Sequence, residues 1–151
     1  TMLREGDTVA FTGESGTAQR VNARATSTND AHRLDFARRF NTNGKTAYAY
    51  CEVETRATGE IEALFASSDS AKVWVNGELL HNVRFPEGRE FAPGQDRFTF
   101  KAQSGVNRIL VKVSDGGDLY WDFMLELHDS KGNALAVIDG RSRGERGRPR
   151  R

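Results

Sequence analysis

The segment Lys72-Val73-Trp74-Val75-Asn76-Gly77-Glu78-Leu79-Leu80-His81 constrains the fold more than any other part of the chain. It alternates up to Asn76-Gly77 and resumes apolar. Asn-Gly accepts the positive backbone dihedrals of a tight type I′ turn at little steric cost, so two such runs joined by it predict a β-hairpin. Alternation places Val73 and Val75 on one face and Lys72 and Trp74 on the other. A chain that buries the valines therefore leaves a large aromatic on the opposite face, either as a ligand surface or under a loop or second layer.

The rest of the chain repeats the strand signal. Runs at Ala47–Thr55, Glu60–Ala66, Ala71–Asn76, Glu78–Val83, Arg97–Ala102, Asn107–Ser114 and Trp121–His128 read as strands, and Ala134–Ile138 as a short final one. Their separators are rich in Gly, Ser, Pro, Asn and Asp: Thr58-Gly59, Ser67 to Ser70, Pro86 to Gly88, Pro93-Gly94, Ser104-Gly105, Asp115 to Asp118 and Asp129 to Gly132. Before Ala47 the signal is weaker, with a short strand at Gly6–Phe11, alternation at Val21–Thr26, and a stretch at Leu34–Phe40 ambiguous between helix and strand. Many short strands without a helical period predict an all-β antiparallel sandwich. A length of 151 residues fits one domain with one core.

Composition bears mainly on partners. Aliphatic runs stay well short of membrane-spanning length, so a soluble domain with no membrane partner is expected. The formal net charge of +1 hides an asymmetry: Arg141 to Arg151 carries six arginines against one glutamate, which leaves the body up to Gly140 at −4. A mildly acidic body argues against nucleic-acid binding by the folded part. The domain is thus expected over residues 1–139, with 140–151 an Arg-rich flexible tail or linker remnant that has no apolar residue to bury. Cys51, in phase with Ala49 and Val53, is read as a small buried hydrophobe. No signal peptide precedes Thr1-Met2, so a module cut from a longer secreted protein is expected.

Catalytic signatures are absent from the sequence. His32, His81 and His128 lack zinc-ligand spacing, and no phosphate loop, nucleophile elbow or Cys-His arrangement occurs. A non-enzyme is expected, with no catalytic residue assigned. Asp115, Asp118 and Asp129 are oxygen donors for a structural calcium ion or turn-forming aspartates; both readings stand.

Ser68 to His81, taken with Asp96 to Ala102, Gly105 to Val113 and the aromatic-rich Gly117 to Leu127, resembles galactose-binding-domain-like modules, including accessory domains of bacterial polysaccharide-degrading enzymes. The resemblance spans roughly Ala47 to Leu127 and implies a jelly-roll-like sandwich with non-catalytic carbohydrate binding. It departs at the turn before the Val-Trp strand, where relatives carry paired acidic residues and a glycine and this chain has Asp69 among serines. The implied partners are a polysaccharide or oligosaccharide and a neighbouring catalytic domain in a secreted bacterial protein.

Aromatic rings stack on the C–H faces of sugars while polar groups bond the hydroxyls. Outward aromatics Trp74, Tyr48 and Tyr50 are the candidates, forming one platform if their strands neighbour one another. Tyr120 reaches a ligand at the rim beside Asp115 to Asp118, and the connection from Asn82 to Gln95 adds Arg84 and Arg89, whose guanidinium groups suit acidic sugars. Trp121, in phase with Phe123, Leu125 and Leu127, is assigned to the core. The alternatives are a structural spacer or protein-interaction domain without sugar affinity, and an anionic-polymer binder acting through the tail.

Overall fold

The computed structural model describes residues 8–12, 18–22, 34–36, 46–115 and 121–135. Ten strands follow in chain order: β1 Thr8–Thr12, β2 Ala18–Asn22, β3 Leu34–Asp35, β4 Thr46–Thr55, β5 Gly59–Ser67, β6 Ser70–Val75, β7 Glu78–Val83, β8 Asp96–Ala102, β9 Gly105–Ser114 and β10 Asp122–His128. β1 and β2 pair with each other as a two-stranded ribbon. The other eight build two antiparallel four-stranded sheets, a front sheet ordered β4-β9-β6-β7 and a back sheet ordered β3-β10-β5-β8.

The pairing is nested: β6 joins β7, β5 joins β8, β4 joins β9 and β3 joins β10, with successive pairs alternating between the sheets. This is jelly-roll connectivity, a long hairpin ribbon folded over on itself into two layers. The all-β antiparallel sandwich expected from strand spacing is the fold that forms.

The core lies where the sheets face each other. Val73, Val75, Ile109, Val111 and Val113 of the front sheet and Ile61, Phe65, Phe100 and Leu127 of the back sheet are all buried. Burying one such side chain contributes about 1.5–3 kcal/mol. Phe36, Trp121, Phe123 and Phe65 form a chain of rings with centroids 5.4–6.0 Å apart. Trp121 also donates from Nε1 to the Val113 carbonyl at 3.2 Å, so its polar atom is satisfied inside the core.

Eight strands fall within a residue or two of their expected limits, while β2 occupies Ala18–Asn22 rather than the expected Val21–Thr26. Leu34–Phe40 contributes a two-residue strand, and of Ala134–Ile138 only Ala134 bridges, to His128, with residues 136–138 outside the described set. The Ser67–Ser70 turn is shorter than expected because β5 continues through Ser67 and β6 begins at Ser70. Ser68 and Asp69 therefore cross between the sheets fully buried.

Asn76 and Gly77 have φ of 50° and 84°, the left-handed pair that a type I′ turn needs. Beyond the turn a β-bulge shifts the register: Leu79 opposes Trp74 but His81 opposes Val73, with Leu80 the extra residue. Leu79, ahead of the bulge, keeps the outward face of Trp74 at 44% exposure, whereas the bulge turns His81 inward, its ring edge-on to Phe65 and stacked on Phe98.

A polar lock closes the turn end of the sandwich. Asn107, fully buried, accepts from Gln103 N at 2.9 Å and from Asn76 Nδ2 at 3.0 Å. Its amide donates to Gln103 O at 3.0 Å and Thr55 Oγ1 at 3.2 Å. Asn76 completes the tie by accepting from Arg108 N at 2.9 Å. One buried amide thus fastens the β8–β9 turn and the β6–β7 hairpin to the end of β4.

Candidate ligand-binding face

The outer face of the front sheet is organised in cross-strand rows. Tyr50 opposes Leu110, Leu110 opposes Trp74 and Trp74 opposes Leu79, so one apolar row crosses all four strands. One step along the strands, Tyr48, Lys112, Lys72 and Asn82 form a parallel polar row. On the other side Glu52 opposes Arg108. Antiparallel partners lie on the same face, so these assignments follow from register alone.

Tyr48, Tyr50 and Trp74 share this face, as alternation predicts, and all three are half-buried. They do not sit on neighbouring strands. β9 lies between β4 and β6, so Tyr50 and Trp74 are two strand spacings apart, about 9.5 Å, with Leu110 filling the gap. Tyr50 donates from its hydroxyl to Glu52 Oε1 at 2.8 Å, and Arg108 Nε lies 4.0 Å from the same oxygen. Burial, reinforced by the Glu52 carboxylate, pushes the Tyr50 phenol up to about 12, so it stays a neutral donor. Inward from this face Cys51 packs against the core, and burial pushes its thiol up to about 12.

The Asn82–Gln95 connection has a different character. Arg89 is half-buried: Nη1 donates to Asp96 Oδ1 at 3.0 Å, Nε to the Ser67 carbonyl at 2.9 Å, and the guanidinium lies 4.2 Å from the Phe85 ring centroid. Arg89 N and Phe85 N bond Ser68 O and Ser70 Oγ, both at 2.7 Å. The arginine proposed for ligand contact thus straps the connection onto the buried crossing. Burial alone would raise Asp96, but hydrogen bonds and charge from Arg89, with His81 Nε2 at 3.1 Å, hold it below the usual carboxylate range. Arg84 is exposed.

Among the calcium candidates, Asp129 uses its carboxylate as a turn former. Oδ1 accepts from Lys131 N and Asn133 N, both at 2.9 Å, and these bonds hold its pKa low. Asp115 lies at the end of β9, whereas Asp118 and Tyr120 lie outside the described residues. Among the described residues no group of three His, Cys, Asp or Glu is placed to hold a metal ion. No described helix is long and apolar enough to cross a membrane.

Lys72, Leu79, Leu110 and Lys112 join the aromatics on this face. Alternation within β9 already turned Leu110 and Lys112 outward. Their adjacency to Trp74 depends on sheet order, which links residues far apart in the chain and leaves no local mark.

Fold and face together define an all-β jelly-roll module with a mixed apolar and polar outer sheet surface. No protein-family model matches the chain, and no curated protein is significantly similar to it. Two solved structures share the fold. The PA14 domain of the antifreeze protein MpAFP aligns with a TM-score of 0.50 at 16% identity, over 63% of this chain and 48% of that one. An anti-sigma factor domain-containing protein aligns with a TM-score of 0.59 at 13% identity, over 91% of this chain and 46% of that one. This chain spans just under half the length of each. At such identities the likeness establishes the all-β fold alone.

Proposed function

We infer that this is a galactose-binding-domain-like, non-catalytic carbohydrate-binding module, and that it binds sugar on the outer face of the front sheet. The observation that carries the reading is the row Tyr50–Leu110–Trp74–Leu79, an apolar stripe with polar rows on both sides. Flat rings offer stacking surface and the flanking amide and charged groups offer hydroxyl partners, which is the composition that sugar recognition needs. In the chain's own context the module serves a longer secreted bacterial polysaccharide-active protein, holding a neighbouring catalytic domain on its polymer. Modest affinity per site suffices for that role, because a tethered enzyme gains from raised local concentration.

The test is affinity electrophoresis of the full chain against neutral and acidic polysaccharides, with Trp74→Ala as comparator. Retardation of the native chain and its loss in Trp74→Ala, at unchanged melting temperature, supports the reading. Equal retardation of both chains removes the site, and no retardation by any polymer removes the function.

The exposure of Leu79 favours a second reading, a protein-contact or spacer domain. It predicts no polysaccharide retardation, and self-association or binding to the adjoining domain that is weakened by Leu79→Ser.

A further inference from the structure

The row Tyr50–Leu110–Trp74–Leu79 crosses the four strands of the front sheet with one side chain on each. Neighbouring strands lie about 4.8 Å apart, so residue type alternates ring, aliphatic, ring, aliphatic in even steps, with about 9.5 Å between the two rings. The row is not flat. A sheet turns by about 20–25° from strand to strand, which carries the apolar surface through roughly 60–75° between Tyr50 and Leu79. On one flank Glu52 accepts from the Tyr50 hydroxyl and lies 4.0 Å from Arg108 Nε, so carboxylate and guanidinium balance each other there. At the β7 end Leu79 is 44% exposed, which leaves that end of the row open.

We propose that the row binds a linear glycan whose sugars are joined by diequatorial 1,4-linkages, the chain lying across the strands with one sugar on each. This rests on the reading of the same face as a sugar surface. Such a chain lengthens by close to one strand spacing per sugar and turns each ring over relative to the last, so every second sugar presents the same C–H face. The first and third sugars then stack on Tyr50 and Trp74, while the second and fourth lie on Leu110 and Leu79. An axial linkage coils the chain and lifts alternate sugars off the row. The turn of the row selects further. A single dissolved chain rotates about its glycosidic bonds to follow the twist, whereas chains locked flat in a crystal do not. The open Leu79 end lets a longer chain run on, so the site takes an internal stretch of polymer as well as an oligosaccharide.

The experiment is calorimetric titration of the full chain with cello-, xylo- and manno-oligosaccharides of one to six sugars, and with malto-oligosaccharides as the axially linked series. In at least one of the first three series affinity is expected to rise with length up to four sugars and then level off. The largest step, about 2- to 10-fold, is expected between two and three sugars, where both rings are first engaged. Tyr50→Phe, which keeps the ring, is expected to retain that step and Tyr50→Leu to lose it, each variant checked as folded by its melting temperature. Affinity that levels off at one or two sugars, an equal rise with malto-oligosaccharides, or a step retained in Tyr50→Leu overturns the proposal and keeps the sugar surface. So does retention on crystalline cellulose, or polysaccharide retardation that Trp74→Ala abolishes, without affinity for any of the four-sugar chains. Binding to none of these oligosaccharides and polysaccharides overturns both.

Discussion

Replacing Asn107 by alanine removes the amide that ties two turns to the end of β4, and the structure allows its cost to be worked out. The side chain makes two acceptor bonds, from Gln103 N and Asn76 Nδ2, and its two amide hydrogens serve Gln103 O and Thr55 Oγ1 best. A net hydrogen bond contributes about 0.5–1.5 kcal/mol, and a buried group left unpaired costs about 1–3 kcal/mol. Asn76 and Thr55 reach water after the change and the Gln103 carbonyl keeps its bond from Thr55 Oγ1 at 2.7 Å, whereas Gln103 N is left without its acceptor, so the expected loss is about 2–4 kcal/mol. Against a typical domain stability of roughly 5–15 kcal/mol that is a large fraction. At about 2–4 °C per kcal/mol the melting temperature falls by roughly 4–16 °C. Urea unfolding followed by the fluorescence of buried Trp121 reads the change directly. Asn107→Asp sharpens the test. Its carboxylate retains the acceptor atoms but, when ionised, faces the Gln103 carbonyl and Thr55 oxygen, so the folded-state pKa is raised. A raised acid is most compatible with the fold below its unfolded value of about 3.9, and stability is lost as pH rises through the folded value. The Asp variant should therefore approach the native chain toward pH 4 and fall away at neutral pH. A loss below about 1 kcal/mol for alanine, or an Asp deficit that ignores pH, would refute this account of the lock.

Gly77→Ala should cost about 1–2 kcal/mol, because a φ of 84° penalises any Cβ although none of its surroundings crowds one; chemical unfolding with an unchanged m-value checks it. Asp96 is held low by Arg89 and His81, so its stabilisation is present above the unfolded value and disappears as pH falls through the lower folded one. Below about pH 4 the native chain should lose stability more steeply than Asp96→Asn, read as melting temperature against pH. Cys51 should resist a thiol-specific disulfide reagent at pH 8 in the folded chain and react fully in urea, because its thiol is buried and shifted to about 12. Trp74→Ala should shift melting by less than about 3 °C, since its ring stands on the outer face and is only half-buried.

What the sequence made legible was whatever repeats every two residues or sits in a turn. Alternation placed Val73 and Val75 inside and Trp74 outside, and Asn-Gly located the hairpin. It did not reveal that β9 separates β4 from β6, because strand order is decided by pairings between distant segments. Nor did it reveal the bulge at Leu80, which turns His81 into the core: an extra residue breaks the very period from which faces are inferred. Arg89 looked like a ligand contact because a charged loop residue carries no mark of its partner, here Asp96 and a buried carbonyl contributed by the β5–β6 crossing.

The nested pairing also sets an order of assembly. The nearest partners in successive strand pairs are Val75 with Glu78, Phe65 with Asp96, Thr55 with Gly105 and Asp35 with Asp122, a series of widening separation. Closing a wide loop costs entropy, and each pair formed shortens the loop left for the next, so the ribbon zips outward from the Asn76-Gly77 tip. Each step lays its pair on the opposite sheet from the one before. Tyr50 therefore reaches Leu110 and Trp74 only at the third step, and a chain halted earlier holds a well-formed hairpin but no complete row. Refolding monitored by ligand retention should lag behind refolding monitored at the hairpin, which makes recognition a late reporter of the whole sandwich.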